Sequence, residues 1–159
     1  MSRTGVGFDA HAFSGDAGRP LVIGGVTVPD HAGLAGHSDA DVLSHAVADA
    51  LLGAAALGDL GSRFPDGARW RDASSLAILE ETAALLARAG YVVVNVDASV
   101  IAQAPRLAPY RDDMRARVAQ ALGVGDGAVS VKATTTDHLG FTGRGEGIAA
   151  LAVATIERA

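Results

Sequence analysis

The chain has 159 residues, 49% of them hydrophobic and 19% charged, with a formal net charge of −5 and no cysteine. That predicts a single folded domain over residues 1–159 and excludes a disordered chain, a disulfide framework and a thiolate metal site. The negative balance argues against nonspecific nucleic-acid binding, no apolar run is long enough for a membrane span, and the opening MSRTG carries no apolar signal segment, so a cytoplasmic protein is expected.

Residues 3–13 read as a strand with Phe8 and Phe13 to bury. Its period of two turns Asp9 and His11 to the same side, beside Gly7. PLVIGGVTVP reads as a β-hairpin, two β-branched arms around Gly24-Gly25. From Ser38 to about Leu57 the pattern is helical, with Leu43, Val47, Leu51 and Ala54 as the apolar stripe and Gly58 placed to end it. The S-x-x-D spacing of Ser38 and Asp41 makes Ser38 the expected N-cap. A second helix is predicted over 74–89, opened by Ser74 and closed by Gly90. YVVVNVDASVIAQ alternates as a strand, with Val92, Val94, Val96, Ala98 and Val100 on one face and Asn95, Asp97 and Ser99 on the other. A third helix runs from Pro109 to Gly123. VSVKAT is a further strand. The final GIAALAVATIE is ambiguous by period and is read as a strand because it follows a glycine-rich turn.

Three constellations carry chemistry. Asp41, His45 and Asp49 recur every fourth residue on a helix face away from the apolar stripe, the usual look of a solvated face. If strand and helix meet, however, Asp9, His11 and His45 supply three ligands with an open fourth position, the pattern of a catalytic zinc. Asp41 or Asp49 could then take the second ring N–H of His45. His37 and Ser38 stand at a helix N-terminus, where backbone N–H groups suit phosphate. VKATTTDHLGFTGRGEG combines three threonines, Lys132, Arg144 and four glycines; it is not a Walker A motif, but its groups also suit phosphate oxygens.

The segments GFDAH, GHSDADVLSHAVADALLGAAALGDLG, FPD, VIAQAPRL and KATTTDHLGFTGRGEG together resemble the 2-C-methyl-D-erythritol 2,4-cyclodiphosphate synthases, over nearly the whole chain and in order. The resemblance implies an α+β fold with a mixed four-stranded sheet backed by helices in two layers. It also implies a homotrimer with active sites between subunits. The implied reaction converts 4-diphosphocytidyl-2-C-methyl-D-erythritol 2-phosphate to the cyclic diphosphate and CMP, in non-mevalonate isoprenoid synthesis.

By position, the resemblance makes Asp9, His11 and His45 ligands of one Zn²⁺ per subunit. His37 and Ser38 would meet phosphate, and Asp59, Gly61, Phe64 and Asp66 the methylerythritol part. Ala102, Pro105, Arg106, Leu107 and Ala108 would surround cytidine. Thr134, Thr135, Thr136 and Asp137 would meet the diphosphate, with Asp137 serving a second metal, Mg²⁺ or Mn²⁺, indirectly. Phe141 and Arg144 would complete the pocket. His37 and Thr135 are the implied transition-state stabilisers, and an axial cavity near Phe8 and Arg144 would hold isoprenoid diphosphates. Three departures stand out: Asp137 occupies a position where glutamate is common, Gly67 and Ala68 lack a second polar side chain, and Arg106 replaces a frequent lysine. A phosphohydrolase and a non-catalytic trimeric sensor are the rival readings.

Overall fold

A computed structural model describes residues 1–159. In chain order the elements are β1 (Ser2–Ala12), β2 (Leu21–Ile23), β3 (Val26–Val28), α1 (Val42–Ala55), α2 (Leu60–Arg63), α3 (Ser75–Arg88), β4 (Tyr91–Ile101), α4 (Arg111–Leu122), β5 (Val129–Thr134), α5 (Gly140–Gly143) and β6 (Gly147–Arg158). The fold is α+β: a four-stranded sheet in the order β1-β6-β4-β5, and a separate β2-β3 hairpin. β6 is antiparallel to both β1 and β4, and β5 is parallel to β4. The carboxyl ends of β1, β4 and β5 therefore share one end of the sheet.

One face of the sheet carries the helices. Ile148, Ala150, Ala152, Ala154 and Ile156 of β6 are fully buried there. Alanine at three of these positions lets α1 lie close, which explains why an Ala-rich run forms a strand. β1 takes closeness further: a Cβ on Gly7 would lie 2.6 Å from the Ala50 backbone nitrogen and nearer still to the Ala46 carbonyl oxygen. Only glycine fits at that crossing. The helix is consequently buried nearly all round, twelve of its 14 residues being shielded, rather than presenting the solvated face its polar residues imply.

Four local expectations change. Phe8 is not buried within the chain; it is 58% exposed on the face without helices, beside Val6, Leu151 and Val153. A bulge between Val93 and Asn95 shifts the register of β4, so Val92 and Val94 join that outer face while Val96, Ala98 and Val100 stay in the core. Asp41, not Ser38, caps α1: its buried carboxylate accepts from Ser44 N at 3.0 Å and from the hairpin's Gly24 N and Gly25 N at 2.8 and 2.7 Å. The helix ends at Ala56, itself in the left-handed region at φ 56°, two residues before Gly58. Ser74 caps α3 as expected, and β5 keeps its predicted bounds.

Candidate metal centre and substrate clefts

The close packing of β1 on α1 brings Asp9 and His11 against His45. Asp9 Oδ2 lies 2.9 Å from His11 Nε2 and 3.2 Å from His45 Nδ1, and one donor atom from each residue falls within 4.8 Å of the others. The remaining ring nitrogens are already engaged. His11 Nδ1 donates to the Ala35 carbonyl at 2.6 Å, and His45 Nε2 lies 2.9 Å from Ser75 Oγ and 3.2 Å from Ser38 Oγ. Both histidines thus turn their remaining ring nitrogen to the same Asp9 oxygen. The donor set is two imidazoles and a carboxylate, which fits a divalent cation with an open position.

The electrostatics agree. Burial works against the Asp9 charge, but hydrogen bonds from His11 and His45, and their charges, outweigh it and hold the carboxyl at about 2. Burial would lower His11 as well; the Asp9 carboxylate reverses that and raises it.

An open cleft of about 220 Å³ surrounds the triad and is also lined by His37, Ser38, Gly61, Phe64 and Asp66. His37 Nε2 lies 3.1 Å from the Gly67 N–H and 2.8 Å from its carbonyl, so this ring is tied to the 66–72 loop through the backbone of Gly67. Asp59 does not line the cleft: its carboxylate caps α2 through Ser62 N at 2.8 Å. Asp49 accepts from Leu60 N at 3.0 Å and so positions α2; neither its carboxylate nor that of Asp41 is bonded to the His45 ring, whose Nε2 faces serines.

A second cleft, about 280 Å³, opens at the carboxyl ends of β4 and β5. Ala102, Pro105, Arg106, Leu107, Ala108, Thr134 and Thr135 line it, with Gln103 and Ala133. Thr135 Oγ1 donates to Asp137 Oδ1 at 3.2 Å, while Thr136 spends its hydroxyl inside the loop on Leu139 O at 2.6 Å. Gln103 Oε1 accepts from His138 N at 3.1 Å and joins the two loops. Arg144 is paired with Glu146 at 2.8 Å, and with Phe141 it lies outside both clefts. Lys132 lies outside them too, paired with Asp97 at 2.6 Å.

Sequence reasoning missed Leu60, Trp70 and Ile78 in the first cleft, and Asp39 and Ser75 behind His45. Trp70, the chain's one tryptophan, packs edge-on to Phe64 with centroids 5.1 Å apart, a signal that composition alone offered. The two clefts do not merge. The first lies beside edge strand β1 and the second at the ends of β4 and the other edge strand, β5; β1 and β5 are three strand spacings, about 14 Å, apart.

Comparison with known proteins bears on this arrangement. The chain is 57% identical over its full length to a 2-C-methyl-D-erythritol 2,4-cyclodiphosphate synthase of Halorhodospira halophila, covering 98% of that relative. It is 60% identical to the Moorella thermoacetica protein of the same name over 95% of this chain and 92% of that one. Among solved structures, the bifunctional IspDF of Campylobacter jejuni superposes with a TM-score of 0.94 at 39% identity, over the whole of this chain and 43% of that one. A CDP complex of Plasmodium falciparum IspF superposes at 0.86 with 29% identity, covering 99% of this chain and 96% of that one. The YgbB family model matches residues 2–157, and on these grounds the chain belongs to the YgbB family, the 2-C-methyl-D-erythritol 2,4-cyclodiphosphate synthases.

Proposed function

We propose that this enzyme converts 4-diphosphocytidyl-2-C-methyl-D-erythritol 2-phosphate to 2-C-methyl-D-erythritol 2,4-cyclodiphosphate and CMP, as one catalytic domain over residues 1–159. The observation that carries the reading is the convergence of Asp9, His11 and His45, with the second ring nitrogen of each histidine engaged elsewhere. An oxygen of the 2-phosphate attacks the β-phosphorus; the bond from that phosphorus to the bridging oxygen breaks, and CMP leaves with the electron pair. A phosphate monoester is largely dianionic at neutral pH, with a second pKa of about 6, so no strong general base is required. The task is to hold two anions together and in line.

Asp9, His11 and His45 would hold zinc, which supplies Lewis-acid charge and orientation at the phosphates. Asp137, a lone exposed carboxylate with Thr135 on one oxygen, suits a largely hydrated Mg²⁺ or Mn²⁺ that neutralises the diphosphate. His37 and the Ser38 hydroxyl meet phosphate beside the triad. Gly61, Phe64 and Asp66 enclose the methylerythritol part, with Asp59 next to them in the chain at the start of α2. Ala102 to Ala108 offer backbone groups to cytosine, and Arg106 an exposed cation. Thr134 and Thr135 donate to the diphosphate, Thr135 where charge develops. Thr136 braces that loop, and Phe141 and Arg144 belong to its outer side.

The separation of the clefts favours an active site shared between subunits. So does the bare outer face of Val6, Phe8, Leu151 and Val153, an apolar surface that a homotrimer would cover. Along such an axis Phe8 would line a cavity able to take an isoprenoid diphosphate. The test is ³¹P NMR of the protein with substrate, Zn²⁺ and Mg²⁺. Coupled resonances of a cyclic diphosphate appearing with CMP are expected; inorganic phosphate would replace the reading with hydrolysis, and an unchanged spectrum with zinc bound would favour ligand sensing.

A further inference from the structure

The ligand His45 is backed by a chain of groups in which Asp39 sets the direction of the Ser75 hydrogen bond. Ser75 is fully buried at the first position of α3. Its hydroxyl contacts Asp39 Oδ1 and, at 2.9 Å, His45 Nε2. An ionised carboxylate can only accept, so the Ser75 proton goes to Asp39 and a Ser75 lone pair faces the imidazole. His45 must then be the donor, through Nε2–H. Its Nδ1, 3.2 Å from Asp9 Oδ2, is then the nitrogen free to give a lone pair to a metal at the triad. Asp39 is itself fixed: Oδ2 accepts from Ser75 N at 3.0 Å, Oδ1 from Asp41 N at 3.2 Å, and its own N–H donates to Ala73 O at 3.0 Å.

We propose that Ser75 and Asp39 are positioning residues that hold His45 in its Nε2–H tautomer, and so set how tightly and in what geometry the Asp9–His11–His45 centre takes a divalent metal. The alternative tautomer, with the proton on Nδ1, would point a hydrogen at the metal position and leave Nε2 facing Ser75, whose proton goes to Asp39. Ser38 Oγ is the weaker partner, at 3.2 Å and also engaged with Ala40 N at 3.3 Å. The pair has a further effect on shape. Because Ser75 begins α3, the same hydroxyl ties the metal ligand on α1 to the end of the 64–73 segment that carries Phe64, Asp66 and Trp70 along the first cleft.

The inference rests on the metal reading of the triad, and the experiment separates the two. Zinc affinity is measured for the parent chain, Ser75→Ala and Ser74→Ala by competition with a chromophoric chelator. Visible spectra of the Co²⁺-loaded forms and far-UV circular dichroism accompany it. Removing such a partner of a ligating histidine typically weakens metal binding 10–100-fold, and that loss is expected for Ser75→Ala, with a changed Co²⁺ spectrum and native dichroism. Ser74→Ala removes the α3 cap, the bond from Leu76 N to Ser74 Oγ, without touching the relay, so it should bind zinc within about twofold of the parent. Equal losses in both variants would reduce Ser75 to a helix-end effect and overturn the proposal, as would Ser75→Ala binding zinc like the parent. If Ser75→Ala does not fold, Asp39→Asn decides: a loss of threefold or more supports the relay, and unchanged affinity overturns it. A parent chain with no zinc affinity would instead remove the metal reading itself.

Discussion

Gly7→Ala tests whether the metal centre depends on how closely β1 approaches α1. The new Cβ would stand 2.6 Å from Ala50 N, where ordinary van der Waals contact needs about 3.5 Å, so the helix must retreat by about 1 Å. His45 precedes Ala46, the other residue struck, and moves with it. The 3.2 Å spacing between Asp9 and His45 would open to about 4 Å, too wide for donors that each sit about 2 Å from a shared zinc. Overpacking of this kind costs about 1–3 kcal/mol. At about 2–4 °C per kcal/mol for a chain of this size, Tm should fall by about 2–12 °C. Zinc affinity should fall at least 100-fold, beyond the usual effect of losing a partner behind a ligand. Gly53→Ala is the control. Gly53 is an exposed residue in the same helix, an added methyl there would meet nothing within 4 Å, and the change should stabilise by about 0.5–1 kcal/mol with zinc binding intact. Chelator competition and thermal melts on both variants give the answer. A Gly7→Ala protein with parental Tm and parental zinc affinity would refute the argument.

Three further outcomes are expected. Ala56→Gly relieves an exposed non-glycine residue at φ 56° and should raise stability by up to about 1 kcal/mol, read from denaturant midpoints. In metal-free protein, Asp9 lies below its ordinary 3.8, at about 2; its contribution is present above pH 3.8 and lost as pH falls toward 2. His11 is raised above 6.5, so its contribution is full below pH 6.5 and lost as pH rises through the folded value. Denaturation of the metal-free chain between pH 3 and 9 should therefore show the pair stabilising most between about pH 4 and 6.5; Asp9→Asn should abolish that feature. Thr135→Ala should keep zinc and lose about 10²-fold or more in kcat, measured as CMP release; unchanged turnover would remove Thr135 from the transition state.

The elements with strong local signals were legible in the sequence. Gly24-Gly25 between β-branched arms is a hairpin because both glycines take positive φ, and VSVKAT is a strand over its whole predicted length. The metal triad was legible as well, because a strand's period of two and a helix position can be combined without coordinates. What escaped is decided by tertiary contact. Three consecutive valines, 92–94, fit either face of β4, and only pairing with β6 settles where the extra residue goes. Ser38 and Asp41 share a capping signature, and the hairpin's free N–H groups, which need Asp41, decide which residue caps. Ser75 lies 30 positions from His45, with no spacing rule to connect them.

The pairing of β1 has a consequence for how the protein is made. Its ladder partner is β6 alone, in a register that sets Ser2 opposite Glu157 and His11 opposite Ile148. Two of the candidate metal ligands are thus held by a strand far along the chain: His11 pairs with Ile148, 137 positions later. Contacts of such long sequence separation form late, after the entropy of closing nearly the whole chain has been met. The candidate binding site is therefore completed only after β6 has emerged and docked on β1, and metal uptake would report the docking of that strand.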